Sequence, residues 1–159
     1  MRTINYIYNL RLFIPIVITI AIGGSYLPSA SYAQVAIIAN KSVPLNHIER
    51  SALLDFYTGD IRRWDDGKAI ILFDLKPKLE IKEQFYKFLD KTPSRMKSIW
   101  LKNMLSGEHD PPEIVKSEEE MLKKVTATPG AVGYISAAKV ADDVKILMLI
   151  ATPSNSSSK

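Results

Sequence analysis

The chain has 159 residues, 21 basic and 17 acidic side chains, a formal net charge of +4 and no cysteine. So weak a surplus of charge gives no case for nucleic acid or a membrane surface as a bulk electrostatic partner. The absence of cysteine excludes disulfide stapling, thiol catalysis and cysteine-type zinc sites.

Residues 1–33 read as a secretory signal peptide. Arg2 and Arg11 give a positive start without an acid. Residues 12–22 follow as 11 residues that are apolar except for Pro15 and Thr19. Ser31-Tyr32-Ala33 then places small residues at the two positions a signal peptidase reads, with Gln34 next. The rival reading is a retained anchor, because no charge appears across residues 12–40. A spanning helix needs ~20 mainly apolar residues, and Gly23-Gly24 and Pro28 interrupt this one. The expectation is therefore a cleaved signal, no stable membrane anchor afterwards, and a periplasmic or secreted protein. What remains, residues 34–159, carries 19 basic and 17 acidic residues. It is one domain, large enough to bury roughly two-thirds of its unfolded surface.

Residues 35–39 form a short apolar run with β-branched members, which predicts a buried strand. Asn46, with Glu49 three residues on, reads as the N-cap of a helix whose inner face carries Ile48, Ala52 and Phe56. Gly59 ends that helix. Asp65-Asp66-Gly67 is a turn; the oxygen ligands a calcium loop would need do not follow it. Residues 69–75 predict a second buried strand, and residues 80–90 a helix with Ile81, Phe85, Phe88 and Leu89 inward. Thr92-Pro93-Ser94 starts another helix, with Met96, Ile99, Trp100 and Met104 on its apolar face.

Pro111-Pro112 reads as a stiff loop, and Ser117-Glu118-Glu119-Glu120 as a capping box that opens a short helix. The three carboxylates favour that helix's dipole rather than a metal. Pro129-Gly130 breaks the helix, residues 131–135 and 144–150 are strands, and residues 152–159 are a polar, disordered tail. Strands alternating with helices predict an α/β layered sheet.

No nucleophile elbow, phosphate-binding glycine loop or zinc-protease motif occurs in the sequence. His47 and His109 have no partner at ligand spacing and read as surface residues. The chain is accordingly expected to be a non-enzyme without cofactor or metal. Trp64 and Trp100 read as core aromatics rather than stacking rings. Residues 76–102 hold a run of lysines and arginines that reads first as a solvated face. For an anion, the start near Thr92, Ser94 and Arg95 is the one helix N-terminus without an acid. The plainer reading is that Thr92 and Ser94 only cap the helix.

Residues 53–61, then Trp64-Asp65-Asp66-Gly67, Phe85 in its helix, and Thr128-Pro129-Gly130-Ala131-Val132-Gly133-Tyr134-Ile135 together resemble the phosphate ABC transporter substrate-binding protein-like family. Order and spacing agree across residues 35–135. The resemblance implies a single lobe like one domain of a type II periplasmic binding protein, with a mixed sheet and flanking helices. It implies an exported domain, residues 34–151, that binds a small solute or anion. The chain departs from the family where an arginine and a serine-glycine-threonine run precede the phenylalanine helix. Leu75 stands at the arginine place, and Leu79-Glu80-Ile81 at the run. Lys82 is the nearest cation to that place. The candidate ligand-binding residues are therefore Lys82, Thr92, Ser94 and Arg95. The alternative is an envelope interaction or structural protein that keeps the fold after losing the ligand site, with a protein partner or self-association.

Overall fold

The computed structural model describes residues 33–152. The strands are β1 (Ala33–Asn40), β2 (Ile71–Leu75), β3 (Glu113–Val115), β4 (Ala131–Ser136) and β5 (Val144–Thr152). The helices are α1 (Arg50–Thr58), α2 (Glu80–Phe88), α3 (Pro93–Leu105) and α4 (Glu118–Ala127). The signal segment and the serine-rich tail lie outside the described residues, except that Ala33 and Thr152 pair across the β1–β5 ladder.

The five strands form one mixed sheet in the order β3-β2-β4-β1-β5. β1 is antiparallel to β4 and β5, while β2 is parallel to β3 and β4. β1 therefore runs against all the others. The carboxyl ends of β2, β3 and β4 share one edge, and α2 and α4 begin there.

Why β1 reads as an unbroken apolar run is now clear. Val35, Ala36, Ile37, Ile38 and Ala39 are fully buried, as expected of a strand covered on both faces. Thr92 caps α3 by accepting from Arg95 N at 3.1 Å. Ser117 caps α4 through Glu120 N at 3.2 Å. The returning half of that box is displaced by one residue, because Glu120 accepts from Lys116 N at 2.7 Å.

Three expectations are corrected. Asn46 does not cap α1, which starts at Arg50 with Glu49 in the cap position and no side-chain cap bond. Ile48 N donates to Leu147 O, and Asn46 Oδ1 accepts from Lys145 Nζ. These contacts tie residues 46–48 to β5 and delay the helix. Second, the chain after Pro111-Pro112 is not only a loop: Glu113, Ile114 and Val115 pair with Phe73, Asp74 and Leu75. Three residues at a sheet edge are too few to show alternation. Third, β2 begins at Ile71, and Ala69 makes only an isolated bridge with Arg63.

The core holds a polar centre. Asp74 of β2 and Lys82 of α2 are 6% and 5% exposed. Lys82 Nζ donates to Asp74 Oδ2 at 2.8 Å and to Leu75 O at 2.5 Å. Tyr86 donates to Asp74 Oδ2 at 2.8 Å, and Tyr134 of β4 donates to Oδ1. Burial, and then the negative charge of Asp74, push the Tyr86 and Tyr134 hydroxyls well above their ordinary pKa. Aromatic rings surround this centre. Phe85 stacks on Tyr134 with centroids 3.9 Å apart, and Tyr57 meets Phe85 edge-on at 4.8 Å.

Lys82→Met leaves Asp74 as a buried carboxylate without its cation. Removing one member of such a pair costs about 3–5 kcal/mol. Urea unfolding is expected to show that loss, and Asp74→Asn added to Lys82→Met is expected to recover part of it. A single variant as stable as the parent would contradict this account of the core.

Candidate binding site

In open sheets, ligands settle beyond the carboxyl ends of parallel strands. Helix N-termini there turn free N–H groups toward anions. In this chain the edge is built from the ends of β2, β3 and β4 with the starts of α2 and α4. Two backbone donors at this edge, Ser136 N and Lys116 N, are taken by carboxylates of α4, the first by Glu118 and the second by Glu120. Lys139 Nζ lies 3.1 Å from Glu118 Oε1 and 2.7 Å from Glu119 Oε1. The hydrogen bond from Lys139 is the largest cause that lowers the Glu119 pKa, to about 2. At α2, Leu79 holds the cap position and offers no side-chain cap bond. Exposed Glu80 accepts from Gln84.

The four sequence candidates separate. Lys82 points into the core and is held by Asp74. Thr92, Ser94 and Arg95 stand together past the other end of α2, all exposed. Thr92 spends its oxygen on Arg95 N, and Ser94 O accepts from Ser98. Thr92 and Arg95 line a groove of about 870 Å³ that also touches Phe88, Pro93 and Ile150.

Arg95 also faces a second groove, of about 710 Å³, between α1 and α3. Arg62, Lys91 and Lys102 join it there, opposite Asp55, Asp60 and Glu108. Four cations line this groove with three acids, Arg62 already donating to Glu108 O, and lysine and arginine hold small anions by charge-assisted bonds without any special loop. Sequence reasoning took Lys91 and Lys102 for part of a solvated face and missed Arg62. The signal lay in the basic stretch, but Arg62 reaches the groove through the chain reversal after α1, which no local pattern reports.

His109 is corrected from a surface residue to a half-buried one. Its ring meets Trp100 edge-on at 5.2 Å. Asn103 Nδ2 donates to Thr58 O at 3.1 Å and lies 3.0 Å from His109 Nε2. With the amide hydrogen as donor, Nε2 accepts and the ring proton sits on Nδ1. Gly59 has φ +85, and a Cβ there would fall 2.1 Å from His109 Nε2, so glycine is required for both reasons. Trp64 and Trp100 are buried, as expected of core aromatics. Among the described residues, no three His, Asp or Glu side chains gather closely enough to hold a metal ion. No helix among them is long and apolar enough to cross a membrane.

No family model matches this chain, and no curated protein does. Solved structures do. A Clostridium perfringens protein assigned as a phosphate ABC transporter substrate-binding protein, solved with bound phosphate, matches at TM-score 0.62 and 19% identity over 73% of this chain. An ABC-type phosphate transport receptor from Vibrio cholerae matches at TM-score 0.55 and 22% identity, again over 73%. PstS from Borrelia burgdorferi does so at TM-score 0.55 and 15% identity. The chain spans less than half of each of them, 44%, 46% and 47% of their lengths. At such identities the likeness is one of fold. The chain has the architecture of part of a phosphate-transporter substrate-binding protein.

The contacts at the start of α4 fix a pH dependence. The Glu119 pKa is lowered from 4.5 to about 2. The stabilisation is therefore present above the unfolded value and is lost as pH falls through that window. A carboxyl-resolved NMR titration is expected to give Glu119 a midpoint near 2, and Lys139→Ala should raise it toward 4.5. A midpoint indifferent to Lys139→Ala would contradict the assignment.

Proposed function

We propose that the chain is exported and that residues 34–151 form a non-catalytic, substrate-binding-protein-like domain for a small solute or anion, periplasmic or secreted. The observation that carries this reading is the fold. Over 73% of its length the chain follows a protein solved with bound phosphate. The groove where Arg95 meets Arg62, Lys91 and Lys102 supplies cations for a ligand of the same sign. Thr92 lines the adjoining groove with Arg95, and Ser94, two residues on, is a further hydroxyl at the α3 start. The buried Lys82 contributes indirectly, by holding α2 in place. In this reading residues 1–33 are the cleaved signal and residues 152–159 a tail.

A second reading has its own observation. Glu118, Glu119 and Glu120 occupy the α4 N-terminus and take up backbone N–H groups and Lys139. An anion would have to displace them. This favours an envelope interaction or structural protein that retains the fold while its partner is another protein surface or a second copy.

Calorimetry with phosphate, sulfate and small organic anions separates the two. The first reading predicts saturable heat for at least one anion. Loss of one charge-assisted bond is worth about 1.5–3 kcal/mol, or roughly tenfold to a hundredfold in Kd, so Arg95→Ala should weaken binding by that factor. Flat titrations across the set would sink it and leave the second. Export is tested separately by the mass of the protein recovered outside the cytoplasm, which is expected to begin at Gln34. A full-length mass there would overturn the cleaved signal.

A further inference from the structure

The exposed face of α3 is not an ordinary solvated one. Leu101, Met104 and Leu105 are 53%, 50% and 80% exposed. They stand at i, i+3 and i+4, so they form one contiguous stripe at the carboxyl half of the helix. Among the described residues the other exposed large aliphatics are Ile61, Ile114, and Ile146 with Leu149 on β5, none of them on α3. Lys97 extends the stripe one turn back from Leu101. α3 contains Arg95, Lys97 and Lys102 and no acidic residue.

Two classes of occupant could cover such a face, and the composition chooses between them. Protein interfaces are enriched in Tyr, Trp and Arg and depleted in Lys. The exposed residues of α3 include no aromatic ring, since Trp100 is buried. Aliphatic side chains on one helical stripe, flanked by lysine and arginine, are the pattern of a helix that lies on a bilayer. The charges have the sign that an anionic headgroup layer attracts.

We infer that the outer face of α3 docks the domain on an anionic lipid surface. Leu101, Met104 and Leu105 enter the headgroup boundary, and Lys97 and Lys102 contact the anionic headgroups. Nearby acids limit the geometry without closing it. Glu108 lies beyond the helix, past Gly107 at φ +69, and its carbonyl accepts from Arg62. Asp90 is paired with Arg50, and Glu80 and Glu83 belong to α2. The contact is peripheral and reversible, and it shares Lys102 with the Arg95 groove, whereas Lys97 and the aliphatic stripe lie outside that groove. It also reconciles a nearly neutral chain with a membrane partner, because the positive charge is local to one helix.

The test is sedimentation of the full chain with phosphatidylcholine vesicles, with and without a phosphatidylglycerol fraction. The readout is the change, from parent to variant, in the difference between the two vesicle types, because residues 1–33, with Arg2, Arg11 and the apolar run, are present in every variant. Each unit of charge near an anionic surface contributes about a fivefold factor, so the charge reversal Lys97→Glu, a change of two units, is expected to lower the anionic-specific partition roughly 25-fold. Leu101→Gln with Met104→Gln and Leu105→Gln should abolish it, and raised salt should weaken it. These positions are exposed, so unchanged thermal unfolding of the variants is the control for folding. Equal binding to both vesicle types would overturn the proposal. So would variants that bind as the parent does, or a stripe variant that loses only self-association.

Discussion

The structure turns on one buried carboxylate. Asp74 sits inside β2 and is reached from three directions: by Lys82 and Tyr86 of α2 and by Tyr134 of β4. The β2–β4 ladder itself is short, with Ile71 opposite Ala131 and Leu72 opposite Val132. Beyond that point Tyr134 takes over. Its hydroxyl accepts from Leu75 N at 3.3 Å while donating to Asp74. A buried ion pair adds little net stability, because desolvation offsets its attraction. Here it fixes which face of α2 meets the sheet, and so where α2 begins. The carboxyl edge of the sheet is shaped by that one choice.

Much of this was legible in the sequence. The apolar run of β1, the Thr92 cap and the Ser117 box each carry a local physical signature, and the structure follows them. The boundaries that sequence missed are those set from a distance. α1 starts late because residues 46–48 are tied to β5. β3 exists because β2 offers it an edge. Lys82 read as a free cation because lysine in the first turn of a helix normally faces water. The available clue was its partner, since a single acid inside the run Ile71-Leu72-Phe73-Asp74-Leu75 must find a cation or pay for burial. Arg62 and His109 had no such clue, because both reach their places through loops.

The lobe thus presents two unlike surfaces. At the carboxyl edge, Glu118 and Glu120 accept from Ser136 N and Lys116 N, and Lys139 pairs with Glu118 and Glu119. Around α3 the balance reverses, with Arg62, Lys91, Arg95 and Lys102 gathered at one groove. A domain that closes its own anion positions on one side and exposes cations on the other is expected to take its ligand on the cationic side. In the proposed function the ligand therefore belongs to the groove between α1 and α3.

Anomalous diffraction from a crystal soaked in selenate locates the anion directly. The account predicts selenium density against Arg95 in the groove between α1 and α3, with Glu118 still bonded to Ser136 N. Density at the start of α4, with Glu118 and Glu120 swung aside, would contradict it.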